Sequence, residues 1–496
     1  MNRFAFLTGF ATLCCCVHLT GYAQDTLLAW IQLNDVYEIE ALSDGTGGLA
    51  RVAGLRQDLH HRLGNTLVTL SGDFLNPSVF ASVKLNGKPV KGKQMIAVLN
   101  ASGLDLATFG NHEFDLDSAS FHDRLNESTF RWVSSNVKRP DGTAFRTQAH
   151  GVIPGSQIVE IPRKNGKRPF RVGVLGVTLD QTRPSYVNIQ NEIAAAQAVA
   201  RELRPQVDQL VALTHLTIEQ DRALARALPD LALLLGGHEH EAHAELVGNS
   251  LIFKSEANAR RVYVHYAIES HGRLYWASEL VPITNRIPLD PRVALETDSW
   301  VNRAYLGFRG LGFEPTRKLC VCSQILDGQE RVIRSEATAL GRLIAEALRD
   351  ALAADLALVN SGSIRVDDRL SGALTEFDIL RTLPFGGSVE LVQVSGQNLL
   401  EALNTQSQRV QSGSFLQLSP NVRRSEAGTW LIHNQPITAQ RTYRVALTEY
   451  VAQGKEARVG QLGAAWSGNR ATGIRRPDIR KTVIQYLART PECPLF

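Results

Sequence analysis

Along the first half of the chain, apolar residues fall in short unbroken runs, and each run ends in a polar cluster. "LAWIQLNDVYEIE" (28–40), "TLVTLSGD" (66–73), "DLATFGNHEFD" (105–115), "RVGVLGVT" (171–178), "QLVALTHL" (209–216) and "LALLLGGHEH" (231–240) share this form. Runs of that length read as buried strands that open into polar loops. Between them, "GGLARVAGLRQDLHHRL" (47–63) and "NEIAAAQAVAREL" (191–203) space their apolar residues as amphipathic helices do. Strands alternating with helices predict a layered α/β domain. The polar residues collect past the strand C-termini, where such sheets place their sites.

A second unit begins with the amphipathic "SEATALGRLIAEALRDAL" (335–352) and continues through the strand-like "DLALVNSGSIR" and "GSVELVQVSG". The chain divides accordingly into a first domain over 24–285, a connector over 286–330 carrying Pro288, Pro291 and Pro315, and a second domain over 331–496. Two domains also suit 496 residues, too many for one ordinary core.

Composition adds little: 44% hydrophobic and 21% charged residues are ordinary for a globular protein. A net charge of +4 without a dense Lys/Arg run offers no footprint for a nucleic acid polymer. The N-terminus changes the picture more. Arg3, an apolar stretch from Phe4 to Val17 and the closing Gly21-Tyr22-Ala23 read as a signal peptide over 1–23, cut after Ala23. The stretch is short for a membrane anchor, so the mature chain is expected in the periplasm or outside the cell, with no membrane span. The residues before Cys14, Cys15 and Cys16 fit a lipoprotein signal poorly. Cleavage leaves Cys320, Cys322 and Cys493; neighbours at i and i+2 rarely bridge, so one of the first two is expected to join Cys493. A metal site on the lone Cys-x-Cys, with no His nearby, is the weaker reading.

The strand ends bring together Asp35, Asp73, Asn111, His112, His215, His238 and His240. Asp, Asn and His are oxygen and nitrogen donors suited to cations such as Zn²⁺ or Mn²⁺, and a carboxylate such as Asp73 can bridge two of them. Two ions about 4 Å apart can bind a phosphoryl oxygen and activate a water for in-line attack. No single residue is decisive, but the local spellings "SGD", "GNHEFD" and "GGHEH", in this order, are specific.

Those blocks resemble the calcineurin-like metallophosphoesterase superfamily, whose pattern runs D-x-H, G-D, G-N-H-[DE], H, G-H-x-H. In the second unit, "RSEATALGRLIAEALRDALAADLALVNSGSIR", "LPFGGSVELVQVSGQNLLEAL", "SGSFLQLS" and "TYRVALTEYVAQG" look like the C-terminal domain of the secreted 5′-nucleotidase family. The resemblance implies an N-terminal four-layer αββα metallophosphoesterase sandwich plus a C-terminal α+β 5′-nucleotidase-type domain, an α/β protein overall. It implies two divalent metal ions: Asp35 and His240 on the first, Asn111, His215 and His238 on the second, and Asp73 bridging. His112 would sit beside the scissile phosphate, oriented by Asp115; a turn or helix cap is the plainer role for Asp115. Arg365 would reach the substrate phosphate, against a surface salt bridge as the alternative. Phe415 would stack on a nucleobase, although a strand Phe is ordinarily core. The implied partner is a small phosphate ester, a 5′-nucleotide first of all, hydrolysed by metal-activated hydroxide.

Two departures stand out. Tyr37 replaces the His of D-x-H, leaving three readings: a hard-donor ligand as in purple acid phosphatases, a hydrogen-bond donor behind the ligands, or a ring filling the gap. After "YVAQG", the family's "G-D-G-[FY]" gives way to "KEARVGQL", so the second stacking aromatic is missing. Rival functions are hydrolysis of cyclic nucleotides, nucleotide sugars or non-nucleotide phosphates, or of sulfur–sulfur bonds as in a related secreted lineage. Outside enzymes, the rival is a binding protein whose first metal site has decayed.

Overall fold

The computed structural model describes residues 25–456 and 476–496 apart from Asn86 and Thr490. The expected signal peptide, and the text after Glu456 in which the second aromatic is missing, lie outside the described residues. Strands β1 (Thr26–Leu33), β2 (Thr66–Ser71), β3 (Leu106–Thr108) and β4 (Arg131–Trp132) lie parallel, side by side. Helices α1 (Leu49–Leu63) and α2 (Lys93–Ser102) make the first two crossovers. The chain then forms a second sheet from β5 (Ser156–Ile161), β6 (Phe170–Thr178), β7 (Gln209–His215), β8 (Leu231–Gly236), β9 (His243–Val247) and β10 (Ser250–Lys254), ordered β5-β6-β7-β8-β10-β9. Helices α3 (Glu192–Leu203) and α4 (Ile218–Ala227) cover its outer face. Finally β11 (Arg261–Ser270) and β12 (Arg273–Pro282) return as an antiparallel hairpin beside β1. Its turn residues His271 and Gly272 have φ of 49° and 75°, as a two-residue hairpin turn requires.

Trp30, Leu106, Val174, Val211 and Leu235 fill one core between the two sheets, and helices flank both, so the layers run αββα as expected. A strand covered on both faces reads as a continuous apolar run rather than an alternation, and β1 is buried at every position. The polar residues inside are matched: Gln32 donates to Gly236 O and Phe253 O from the other sheet (3.0 and 2.9 Å), and its Oε1 faces His265 Nε2 (3.0 Å).

The stretch expected as a connector is folded. Helix α5 (Pro291–Gly310), capped by the Asp290 carboxylate, packs Trp300 and Phe308 into the core shared with α1 and α2. Strand β13 (Lys318–Asp327) pairs with β15 (Arg369–Thr375) of the second domain. That domain centres on β14 (Leu356–Asn360), β16 (Val389–Ser395), β17 (Leu416–Leu418) and β18 (Thr442–Thr448), ordered β16-β18-β14-β17. Helix α6 (Ala339–Ala351), whose Thr338 side chain accepts from Gly341 N–H, covers it with Leu343, Ile344 and Leu348. Cys322 forms the disulfide with Cys493; Cys320 stays a buried thiol, its pKa pushed up to about 11 by burial.

Candidate metal centre and active site

The six expected metal donors come from five strand ends of the first domain and meet at the mouth between its sheets. Four of them, Asp35, Asp73, His238 and His240, have φ of 53°, 57°, 88° and 61°. Non-glycine residues take up this left-handed conformation at a cost, and such residues cluster at sites whose surroundings over-determine them. The glycines of the motifs leave the room. A Cβ on Gly72 would meet Gly110 N and His215 Nδ1, one on Gly110 would strike Asp73 Oδ1, and one on Gly237 would strike Ser71 O.

Each carboxylate is half anchored. Asp35 Oδ2 accepts from Asn34 Nδ2 (2.9 Å) and the His238 amide (2.8 Å), while Oδ1 faces Tyr37 Oη and His240 Nε2, both at 3.4 Å. Asp73 Oδ1 accepts from the His112 amide (2.8 Å), while Oδ2 faces His215 Nε2 (3.1 Å) and Tyr37 Oη (3.4 Å). The histidines are oriented from behind: His215 Nδ1 donates to Ser71 O (2.8 Å) and His240 Nδ1 to Asp367 Oδ2 (2.9 Å). Backing the second ring nitrogen in this way turns Nε2 inward, the orientation a metal ligand needs. Electrostatics follow this crowding. Burial would raise the Asp35 pKa, but His215 and His240 outweigh it and hold the carboxyl well below its usual range. Burial, then His215, lowers His238 to about 4, keeping its imidazole neutral. Burial, with the charges of Asp73 and Asp35, pushes the Tyr37 phenol well above its usual value.

The donor set fits metal ions. Ligand atoms of Asp73, His215 and His238 lie within 4.8 Å of one another. Asn111 Oδ1 is buried with no hydrogen-bond partner, and an unpaired buried polar atom of this kind calls for an ion.

His112 stands at the rim, its Nδ1 2.6 Å from Asp115 Oδ2, which also accepts from Asn76 Nδ2 (2.9 Å). Across the interdomain cleft, Arg365 brings Nη2 to 3.5 Å from His112 Nε2 and pairs with Glu330 (3.3 Å). The cleft beside them holds about 700 Å³ and is lined by Asn360, Ser363, Gly413, Phe385 and Tyr450 among others. Phe415 is 6% exposed and is not one of the lining residues. Among the described residues, the Phe and Tyr side chains that line the cleft are Phe385 and Tyr450, 61% and 47% exposed.

Three supporting residues escaped the reading of the sequence. Glu113 is fully buried and accepts from the amides of Asp73, Phe74, Leu75 and Gly110 at 2.6–3.1 Å. Lys254, also buried, ties Leu216 O and Gly237 O to the carboxylates of Asp221 and Glu239, bracing the His215 and His238 loops. Asp367 arrives from the second domain. A carboxylate inside "GNHEFD" and a lysine closing an apolar strand were the visible signals for the first two; nothing marked Asp367.

A two-sheet sandwich with clustered carboxylate, amide and imidazole donors at its strand mouth, covered by a second domain bearing an arginine, defines a metallophosphoesterase-type hydrolase. Residues 17–242 match the calcineurin-like phosphoesterase family, and residues 321–459 match the 5′-nucleotidase C-terminal domain family. The chain belongs to the calcineurin-like phosphoesterases that carry a 5′-nucleotidase C-terminal domain. It is 26% identical over 457 residues to a 5′-nucleotidase of Vibrio cholerae, covering 81% of this chain and 79% of that one. Among solved structures it is similar to a 5′-nucleotidase precursor from Thermus thermophilus, with a TM-score of 0.71 and 21% identity over 94% of this chain and 97% of that one. A sulfate thiohydrolase from the same organism shares the fold, with a TM-score of 0.69 at 13% identity over 94% and 95% of the two chains.

Proposed function

We propose that this phosphoric-ester hydrolase acts on 5′-nucleotides in the interdomain cleft. The observation that carries the reading is the Asp115–His112 pair at the rim of the donor cluster, faced across the cleft by Arg365. Arg365 would bind phosphate oxygens through its planar fork. Asp115 would hold the His112 ring by Nδ1, leaving Nε2 toward the phosphate, where it would pass a proton to the leaving oxygen as the ester P–O bond breaks and water adds to phosphorus. Asp35, Asp73, His240, Asn111, His215 and His238 would hold the metal ions, which when bound supply Lewis acidity and lower the pKa of a bound water. Export with cleavage after Ala23 belongs to this reading. It is supported by the Cys322–Cys493 disulfide, a bond of oxidising compartments.

The nucleobase would stack on Phe385 and Tyr450. Stacking contributes about 1–3 kcal/mol per base, so Tyr450→Ala should raise KM for nucleoside monophosphates by roughly 5- to 150-fold and leave simple phosphate esters unaffected. A hydrolysis panel of nucleoside monophosphates, cyclic nucleotides, nucleotide sugars and simple esters tests both points. Equal rates on all esters, in wild type and variant alike, would refute the nucleotide assignment.

A further inference from the structure

Arg365 reaches the cleft already paired with a carboxylate. Its Nη1 lies 3.3 Å from Glu330 Oε2, while Glu330 Oε1 takes Arg334 Nη1 at 2.6 Å. One carboxylate thus joins two guanidiniums, and two such neighbours keep the acid ionised. Less than a quarter of each of the three side chains is exposed, so solvent screens their charges little. Glu330 is also held from its backbone. It opens the helical turn Glu330–Ile333, and its N–H donates to Asp367 Oδ1 at 2.8 Å.

An arginine that binds phosphate turns its fork of N–H groups onto the phosphate oxygens. Arg365 has one terminal nitrogen on Glu330, and the other, Nη2, stands 3.5 Å from His112 Nε2. A phosphate taken up between Arg365 and His112 therefore arrives about one guanidinium's width from the Glu330 carboxylate. Like charges about 6–8 Å apart, at an effective dielectric of about 20, repel by more than a tenfold change in affinity requires. The positive charge that Arg365 and Arg334 offer to a phosphate is thus partly cancelled by the chain itself.

We propose that Glu330 is a specificity-determining residue that competes with phosphate for Arg365 and Arg334 and so weakens the hold on a doubly charged phosphate group. Two arginines without it would grip a dianionic product firmly and slow its release. The carboxylate loosens that grip, and it opposes a singly charged phosphodiester only half as much. Glu330 thereby narrows the preference of the site for monoesters over diesters. The inference rests on the phosphate role given to Arg365 above.

The test is calorimetric titration of the full-length protein as purified with inorganic phosphate and with dimethyl phosphate, a singly charged diester. Glu330→Gln keeps the size of the side chain but not its charge, and should bind inorganic phosphate at least about tenfold more tightly than wild type. Dimethyl phosphate should gain only about threefold, because half the charge gives half the free energy. Glu330→Asp keeps the charge and should bind inorganic phosphate within about threefold of wild type. Arg365→Ala should bind it at least about tenfold more weakly. A Glu330→Gln protein that binds phosphate no better than wild type overturns the proposal. Weaker binding by both Glu330 variants marks a residue that only positions Arg365, and overturns it too, as does an Arg365→Ala protein with wild-type affinity. Phosphate binding needs no turnover, so the two readings fail separately. Tighter binding by Glu330→Gln in a protein inert toward every ester refutes the nucleotidase reading alone; nucleotide hydrolysis with unaltered phosphate affinity refutes this one alone.

Discussion

Glu113 shapes the centre without touching a substrate or an ion. Its carboxylate gathers four backbone N–H groups from the Asp73 turn and from Gly110, and so fixes the two loops that carry Asp73, Asn111 and His112. Removing it leaves those donors buried and unpaired, each worth about 1–3 kcal/mol. Glu113→Ala should therefore destabilise the protein by at least about 3 kcal/mol in urea unfolding. A variant with wild-type stability would show that water replaces the carboxylate. At this scale the clustering of the candidate donors was legible, because a motif such as "GNHEFD" packs a candidate ligand, a rim histidine and an Asp beside it into a few residues. Glu113 was printed in the same motif yet its role was not, since that role is set by where the Asp73 turn arrives in space. Phe415 falls on its plainer side: its place in "SGSFLQ" suggested a base-stacking ring, whereas the fold buries it, and among the described residues Phe385 and Tyr450 line the cleft.

Among the elements, the strands of the sandwich were legible because both faces are covered, which turns each into an apolar run with a polar end. The stretch 286–330 was not, because prolines suggested a linker where Pro291 in fact opens α5 in the first turn, the one helical position that tolerates it. The loop after β1 carries a pH-sensitive feature that no pattern shows. Burial, reinforced by the neighbouring charge of Glu38 and opposed by Arg381, pushes the Glu40 carboxyl up to about 7. The folded state thus binds this proton more tightly than the unfolded chain does. The stabilisation is fully present below the ordinary carboxylate range and is lost as pH rises through about 7. Glu40→Gln should flatten that slope, making the variant more stable than wild type at pH 8 by up to about 3 kcal/mol and no more stable at pH 4. Parallel pH–stability curves from chemical denaturation would count against it.

On the scale of the whole molecule, the two domains are joined through charges that sit far apart in the chain. Arg381 pairs with Glu38 (3.0 Å), the Asp368 carboxylate accepts from Ser43 Oγ (2.6 Å) and pairs with Arg260, and Arg331 meets Glu241. Separations as large as 343 residues put these pairs beyond any reading of local pattern. A further interdomain contact reaches the donor cluster: Asp367 accepts from His240 Nδ1 with one oxygen (2.9 Å) and from the Glu330 amide with the other (2.8 Å). On the proposed assignment the second domain thereby orients a ligand held by the first, which would couple metal binding to domain docking. Carboxylates that back a metal-bound imidazole typically account for about 10- to 100-fold in affinity. Asp367→Ala should weaken metal binding at the first position by that factor in equilibrium dialysis, with the second position unchanged. Asp367→Asn can still accept from Nδ1 with its amide oxygen, but it turns its NH2 toward the Glu330 N–H from which Asp367 now accepts, so it should recover only part of the loss. The Glu38–Arg381 and Ser43–Asp368 contacts remain in both variants, so the domains stay docked and a fall in affinity reports on the His240 contact itself. Equal affinity in wild type and Asp367→Ala would mean that the first domain holds its metals unaided and that the second domain serves only the substrate.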